Sequence, residues 1–136
     1  MAEQNREKSK EPEDEVPRQV YDIQLEETVG DLKREKAAQK TAFTKVRRSV
    51  LTIIQREEVD IKELKDMCDE LDIALENVMN VMNRLFDRYK IDKDRKNFER
   101  LGDEIEQIEI EYSNAQNRAQ KVMDSLSISR RYDKFF

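Results

Sequence analysis

Nine apolar residues towards the C-terminal end of the chain follow one another at spacings of three and four without a miss. They are Phe98, Leu101, Ile105, Ile108, Tyr112, Ala115, Ala119, Val122 and Leu126. A repeat averaging about 3.5 residues gathers all of them onto one narrow helical seam, as in a coiled coil or helix bundle. Such a stripe cannot be buried by one helix alone, so this segment needs neighbouring helices, from the same chain or from another.

The composition agrees with long helices. Charged residues make up 42% of the 136 positions and hydrophobic ones 37%, with two Gly, two Pro and no Trp. A bundle tolerates this balance because each helix is buried along a stripe and solvated elsewhere. Residues 1–17 hold both prolines and almost nothing apolar, so they are expected to be a disordered tail. Residues 18–30 are an uncertain lead-in. Tyr21, Ile23 and Leu25 alternate as in a strand, Leu25, Val29 and Leu32 step as in a helix, and Gly30 interrupts both.

Three helices are predicted beyond that point, at about 31–56, 61–89 and 94–126. In the first, Leu32, Phe43, Val46, Val50 and Ile53 share a register. Lys36 and Gln39 fall on seam positions of that register. The simpler reading is that the stripe drifts there onto Ala38 and Ala42. The break before the second helix carries no Gly or Pro. Asp60 followed by Glu63 forms an N-terminal capping box, with Val59 and Leu64 as a hydrophobic staple. The second helix has a wide face, Leu64, Leu71, Val78 and Leu85, flanked by rows through Met67 and Ala74 and through Cys68 and Leu75. That width makes it the central element. Asp92 or Asp94 can cap the third helix. Gly102 inside it costs about 1 kcal/mol relative to Ala unless it serves a close approach. Residues 127–136 are expected to be a flexible tail.

The expectation is therefore an all-α fold, an elongated antiparallel three-helix bundle or coiled coil over 31–126. Its core, or self-interface, is predicted to hold Phe43, Val46, Val50, Leu64, Leu71, Val78, Leu85, Phe98, Leu101, Ile105, Ile108 and Tyr112. Charge is divided between helices. Lys33, Arg34, Lys36, Lys40, Lys45, Arg47 and Arg48 form a basic run opposed by only Asp31 and Glu35, whereas residues 57–76 are strongly acidic. In an antiparallel hairpin these two runs lie side by side and favour one choice of neighbour.

No catalytic constellation is legible. The chain has no His, its two glycines stand apart, and its acidic pairs read as solvated surface. A non-enzymatic protein without cofactor or metal is expected. Cys68 is the single cysteine, which rules out an intramolecular disulfide. No run approaches the roughly 18 apolar residues of a membrane span. The start of the sequence is polar, so an intracellular, cytoplasmic location is expected. The basic run could track phosphates, but the net charge of −5 leans against a nucleic-acid partner.

The stretch Leu32-Lys-Arg-Glu-Lys-Ala-Ala-Gln-Lys-Thr-Ala-Phe-Thr-Lys-Val-Arg-Arg-Ser-Val50 resembles the start of BEL/Pao-type retrotransposon Gag-like polyproteins. Asn97-Phe-Glu-Arg and Glu109-Ile-Glu-Tyr-Ser-Asn-Ala are similar to the returning helix of that region. The resemblance covers about residues 31–126. It implies an N-terminal helical segment of a capsid-forming polyprotein, or a protein derived from one, acting in self-assembly. The chain has neither a zinc knuckle nor a protease motif, so it corresponds at most to the leading segment. Spectrin-like repeats match in length but lack their Trp here. Syntaxin-type regulatory bundles match in length and topology, without a SNARE helix following. Three functions stay open: a self-assembling or partner-docking protein module, a trafficking-type bundle that receives a partner helix, and a nucleic-acid-associated helical domain. A homo-oligomer belongs to the first.

Overall fold

Thr28 sets the start of the first helix. Its hydroxyl accepts from the Asp31 amide at 3.0 Å, while the Asp31 carboxylate accepts from the Thr28 amide at 3.3 Å. This reciprocal box occupies donors that a helix start leaves open. In the structure, a computed structural model that describes residues 27–135, α1 spans Val29–Ile54, α2 spans Ile61–Ile91 and α3 spans Arg95–Phe135. No strand occurs among the described residues, and the helices pack on one another as an all-α three-helix bundle. Glu35 meets Arg84, and Asp72 meets Tyr112, so α2 runs antiparallel to both neighbours. Lys36 meets Glu104, so α1 and α3 run parallel. None of the three helices is long and apolar enough to cross a membrane.

α2 starts at the expected Ile61, and the other boundaries differ from the sequence expectation for local reasons. α1 begins two residues before the expected 31 because Thr28 supplies the cap, and Gly30 lies within its first turn. It stops at Ile54, short of 56, where the Gln55 and Arg56 amides turn back to the Thr52 and Ile53 carbonyls. Glu57 and Glu58 follow directly, and acids oppose the negative end of a helix dipole. Asp60 then caps α2, accepting from the Lys62 and Glu63 amides at 2.9 and 3.4 Å. Only half of the expected capping box forms there. Glu63 turns instead to the Arg56 guanidinium at 2.6 Å, across the connection. The break between α1 and α2 is real, and no single rod runs through it.

α2 ends two residues later than expected, in a tight left-handed stop. Lys93 has φ 57. The Lys93 amide donates to the Lys90 carbonyl at 3.2 Å and the Asp94 amide to the Tyr89 carbonyl at 2.9 Å. These are the two bonds of a Schellman motif, with Lys at the position that favours glycine. Asp94 then caps α3 through the Asn97 amide at 3.3 Å and the Asn97 side chain at 2.7 Å. The helix does not give way at 126. Its backbone remains helical to Phe135, which replaces most of the expected tail over 127–136. The expected tail over 1–17, and residues 18–26 of the lead-in, lie outside the described residues.

The core runs the length of the hairpins. Phe43, Val50, Leu64, Leu71, Val78, Leu85, Leu101 and Ile108 are buried, together with Leu32, Ile53, Cys68, Ala74, Val81, Met82, Tyr89, Ala115 and Ala119. Val46, Phe98, Ile105 and Tyr112 are half-buried and pack against it. α2 carries the largest share, which is what a helix placed between two neighbours requires. Near the α2–α3 turn, Phe86 and Phe98 stack with ring centroids 4.0 Å apart. Burial of this apolar surface, at roughly 25 cal/mol per Å², supplies the main stabilisation.

The first helix departs from expectation in its middle. Ala38 and Ala42 are exposed, so the stripe does not drift onto them. Lys36 and Gln39 keep their seam positions and are half-buried. The reason is a partner on α3: the Lys36 ammonium lies 2.6 Å from Glu104 Oε1. A long aliphatic stem can cover apolar surface while its charged end finds a carboxylate.

Candidate interaction surfaces

Glu104 organises the groove between α1 and α3. It accepts from Lys36 at 2.6 Å and from Lys40 at 3.2 Å, one lysine on each carboxylate oxygen. Burial pushes its pKa up, but the two lysine hydrogen bonds outweigh that and hold the carboxyl below its ordinary range. The groove has a volume of about 640 Å³ and is lined by Lys36, Ala37, Lys40, Thr41, Thr44, Lys45, Arg48 and Glu104. Four cations thus line it against one carboxylate, and that carboxylate already carries two of them.

The seven residues of the basic run divide into three groups. Arg34 pairs with Asp31 within α1, and Lys36 and Lys40 are taken by α3. Lys33, Lys45 and Arg48 are exposed and make no ion pair among the described residues. Arg47 is half-buried, and its Nε has no hydrogen-bond partner among the described residues. The expected pairing of this run with the acidic half of α2 does not occur: among the described residues none of the seven meets an acid of α2. Lys36 and Lys40 turn to Glu104 of α3, and Lys33, Lys45 and Arg48 are exposed to solvent.

The ion pairs that do join α1 to α2 lie near the other end and have the opposite polarity. Arg84 of α2 donates through Nη1 to both Glu27 oxygens at 3.0 and 2.9 Å, and through Nη2 to Glu35 at 2.8 Å. Arg88 adds a bond to the Glu27 carbonyl at 2.8 Å. Burial depresses the Arg84 pKa, and the bonds to Glu27 and Glu35 more than reverse this, so its pKa is raised. This clamp fixes the approach to α1 against α2. Sequence reading missed it because Arg84 and Glu27 belong to no shared helical spacing. On the third side Asp72 accepts from Tyr112 and from Gln116, the latter at 2.7 Å, while Gln116 also reaches the Cys68 carbonyl at 3.4 Å. The Cys68 thiol is buried, and burial, with Asp72 and Asp69 nearby, pushes its pKa up, away from thiolate reactivity.

A second, smaller groove of about 230 Å³ lies between α1 and α2. Gln39, Ala42 and Val46 form one wall, and Glu70, Ile73, Ala74 and Asn77 the other. Ile73 is 57% exposed beside it. Ile91, Ile110 and Ile128 are likewise exposed, at the end of α2 and along α3. None of these isoleucines lies on a core seam, so helical periodicity gave no reason to single them out.

Among family models, curated proteins and solved structures, nothing matches this chain.

Proposed function

We propose that this chain is a non-catalytic protein-interaction module whose first task is self-assembly. The observation that carries this reading is the shape of the surface: open grooves between parallel or antiparallel helices, with exposed apolar side chains beside them. The α1–α2 groove has an apolar floor of Ala42, Val46 and Ala74 with Ile73 at its edge. Such a groove accepts another amphipathic helix through spaced apolar anchors. The resemblance to BEL/Pao-type Gag-like polyproteins points the same way, since the leading segment of a capsid-forming chain must associate with copies of itself. An intracellular, cytoplasmic setting fits a chain whose one cysteine is an unpaired buried thiol.

Native mass tests the proposal. Light scattering across increasing protein concentration is expected to show mass rising above the 16.3 kDa of one chain. A constant monomer mass would instead favour the trafficking-type alternative, a bundle that stays single and receives a helix from another protein.

A second reading rests on one observation of its own. Lys33, Lys45 and Arg48 are exposed on α1, and the α1–α3 groove is basic. A nucleic-acid strand along α1 would bind through phosphate contacts and weaken steeply with salt. A salt titration of RNA binding tests it, and affinity independent of salt would overturn it.

A further inference from the structure

We propose that the acidic outer stripe of α2 seats in the basic α1–α3 groove of a second copy of this chain, in a head-to-tail contact that repeats. The inference rests on the self-assembly reading and names the two surfaces that perform it.

Charge sets the occupant of the groove. Lys36, Lys40, Lys45 and Arg48 line it against the single carboxylate of Glu104, which already holds Lys36 and Lys40. Lys45 and Arg48 are exposed and make no ion pair among the described residues. Between these cations the lining is small, with Ala37, Thr41 and Thr44. The Thr41 hydroxyl donates to the Ala37 carbonyl at 3.0 Å, so its donor is satisfied within α1. A groove of this kind fits a helix that brings carboxylates around one apolar side chain.

α2 carries such a stripe. Asp66, Asp69, Ile73, Glu76 and Asn80 follow one another at spacings of three and four, and all five are exposed. That spacing puts them on one helix face, turned away from the buried Leu71 and Val78. Ile73, 57% exposed, is its apolar centre. Asp66 pairs with Lys62 of its own helix, whereas Asp69 and Glu76 make no ion pair among the described residues.

The geometry of the bundle joins the two surfaces. α2 packs on α1 and on α3, and these two also touch each other. The outer stripe of α2 and the α1–α3 groove therefore lie on opposite sides. They stand at one level, because Ile73 shares a groove with Ala42 and Val46, and the cations run from Lys36 to Arg48. At 1.5 Å per residue Asp69 lies about 6 Å from Ile73 towards the level of Arg48, and Glu76 about 4.5 Å towards that of Lys40. A second copy moved sideways, without rotation, thus lays its α2 antiparallel to both walls of the groove. Its Ile73 then meets Thr41 and Thr44, with Asp69 by Lys45 and Arg48 and Glu76 by Lys40. Ile110 on α3 is exposed to the same degree, beside Glu106 and Glu109. However, α3 is itself a wall of the groove, and no sideways displacement seats its outer face there. Each copy offers one stripe and one groove, so the contact is heterologous and the row of copies grows.

Sedimentation equilibrium on the full chain and two variants tests this. The groove variant carries Lys45→Glu with Arg48→Glu, and the stripe variant Asp69→Asn, Ile73→Ser and Glu76→Gln. All five positions are exposed, and unchanged helical circular dichroism verifies folding. The mass of the unaltered chain is expected to rise past two copies with loading, and each variant alone to associate at least about tenfold more weakly. An equimolar mixture of the variants is expected to stop at two chains, since only the stripe of the first and the groove of the second remain intact. Assembly of the unaltered chain that halts at two copies, or that both variants leave unchanged, overturns the inference and leaves self-assembly standing. So does assembly that Ile110→Ser weakens and Ile73→Ser does not. If the unaltered chain remains a monomer at every concentration, the self-assembly reading falls and this inference with it.

Discussion

Two single positions carry local costs that the rest of the fold outweighs. Gly102 sits inside α3, and a Cβ built there would stand 3.8 Å from Phe86 Cε1, an ordinary contact. The glycine is not needed for close helix approach. Gly102→Ala is therefore expected to raise stability by about 1 kcal/mol, read as a higher urea midpoint at unchanged slope. Lys93 holds a left-handed backbone, φ 57, at the stop of α2. An L-residue pays for that conformation, and glycine does not. Lys93→Gly is expected to stabilise by about 0.5–1 kcal/mol, with Lys93→Val destabilising in the same denaturation assay. The first of these positions was legible in the sequence as an interruption, though not its room. The second was invisible, because nothing in Lys90-Ile-Asp-Lys93 marks a left-handed residue.

At the scale of elements, caps fix where each helix starts. Thr28 donates no apolar surface, yet it sets the N-terminus of α1 through its exchange with Asp31. Thr28→Ala is expected to cost about 1 kcal/mol and to speed hydrogen exchange in the first turn of α1, with α2 and α3 unaffected. The three helices, their order and their antiparallel links could be read from apolar spacing, because a 3.5-residue seam and a polar break leave few other solutions. The pairing of charges could not. Periodicity tells which residues share a face, but the neighbour across the groove depends on rotation and level. Lys36 is the clearest case: a seam position on one helix became tolerable only because Glu104 stands opposite on another. Arg84 is the counterpart, reaching residues 49 and 57 positions away.

For the whole molecule, stability depends on the central helix and on the few ionic ties between its outer partners. Leu71 and Val78 on α2 are fully buried. Leu71→Asp places a carboxylate in that core and is expected to unfold the bundle, seen as loss of the helical signal. The α1–α3 clamp makes stability pH-dependent. The lysines depress the Glu104 pKa, so its contribution is full above the ordinary value of 4.5 and is lost as pH falls through the lowered one. Melting temperature should decline over that acidic range, and Glu104→Gln should flatten this part of the profile while lowering stability at neutral pH. An odd number of helices has one more effect. Glu27 is anchored at one pole of the bundle by Arg84 and Arg88, while α3, about 62 Å long at 1.5 Å per residue, carries Phe135 to the other. Tension applied between those two points would run lengthwise and shear the helix interfaces together, instead of peeling one rod away at a time.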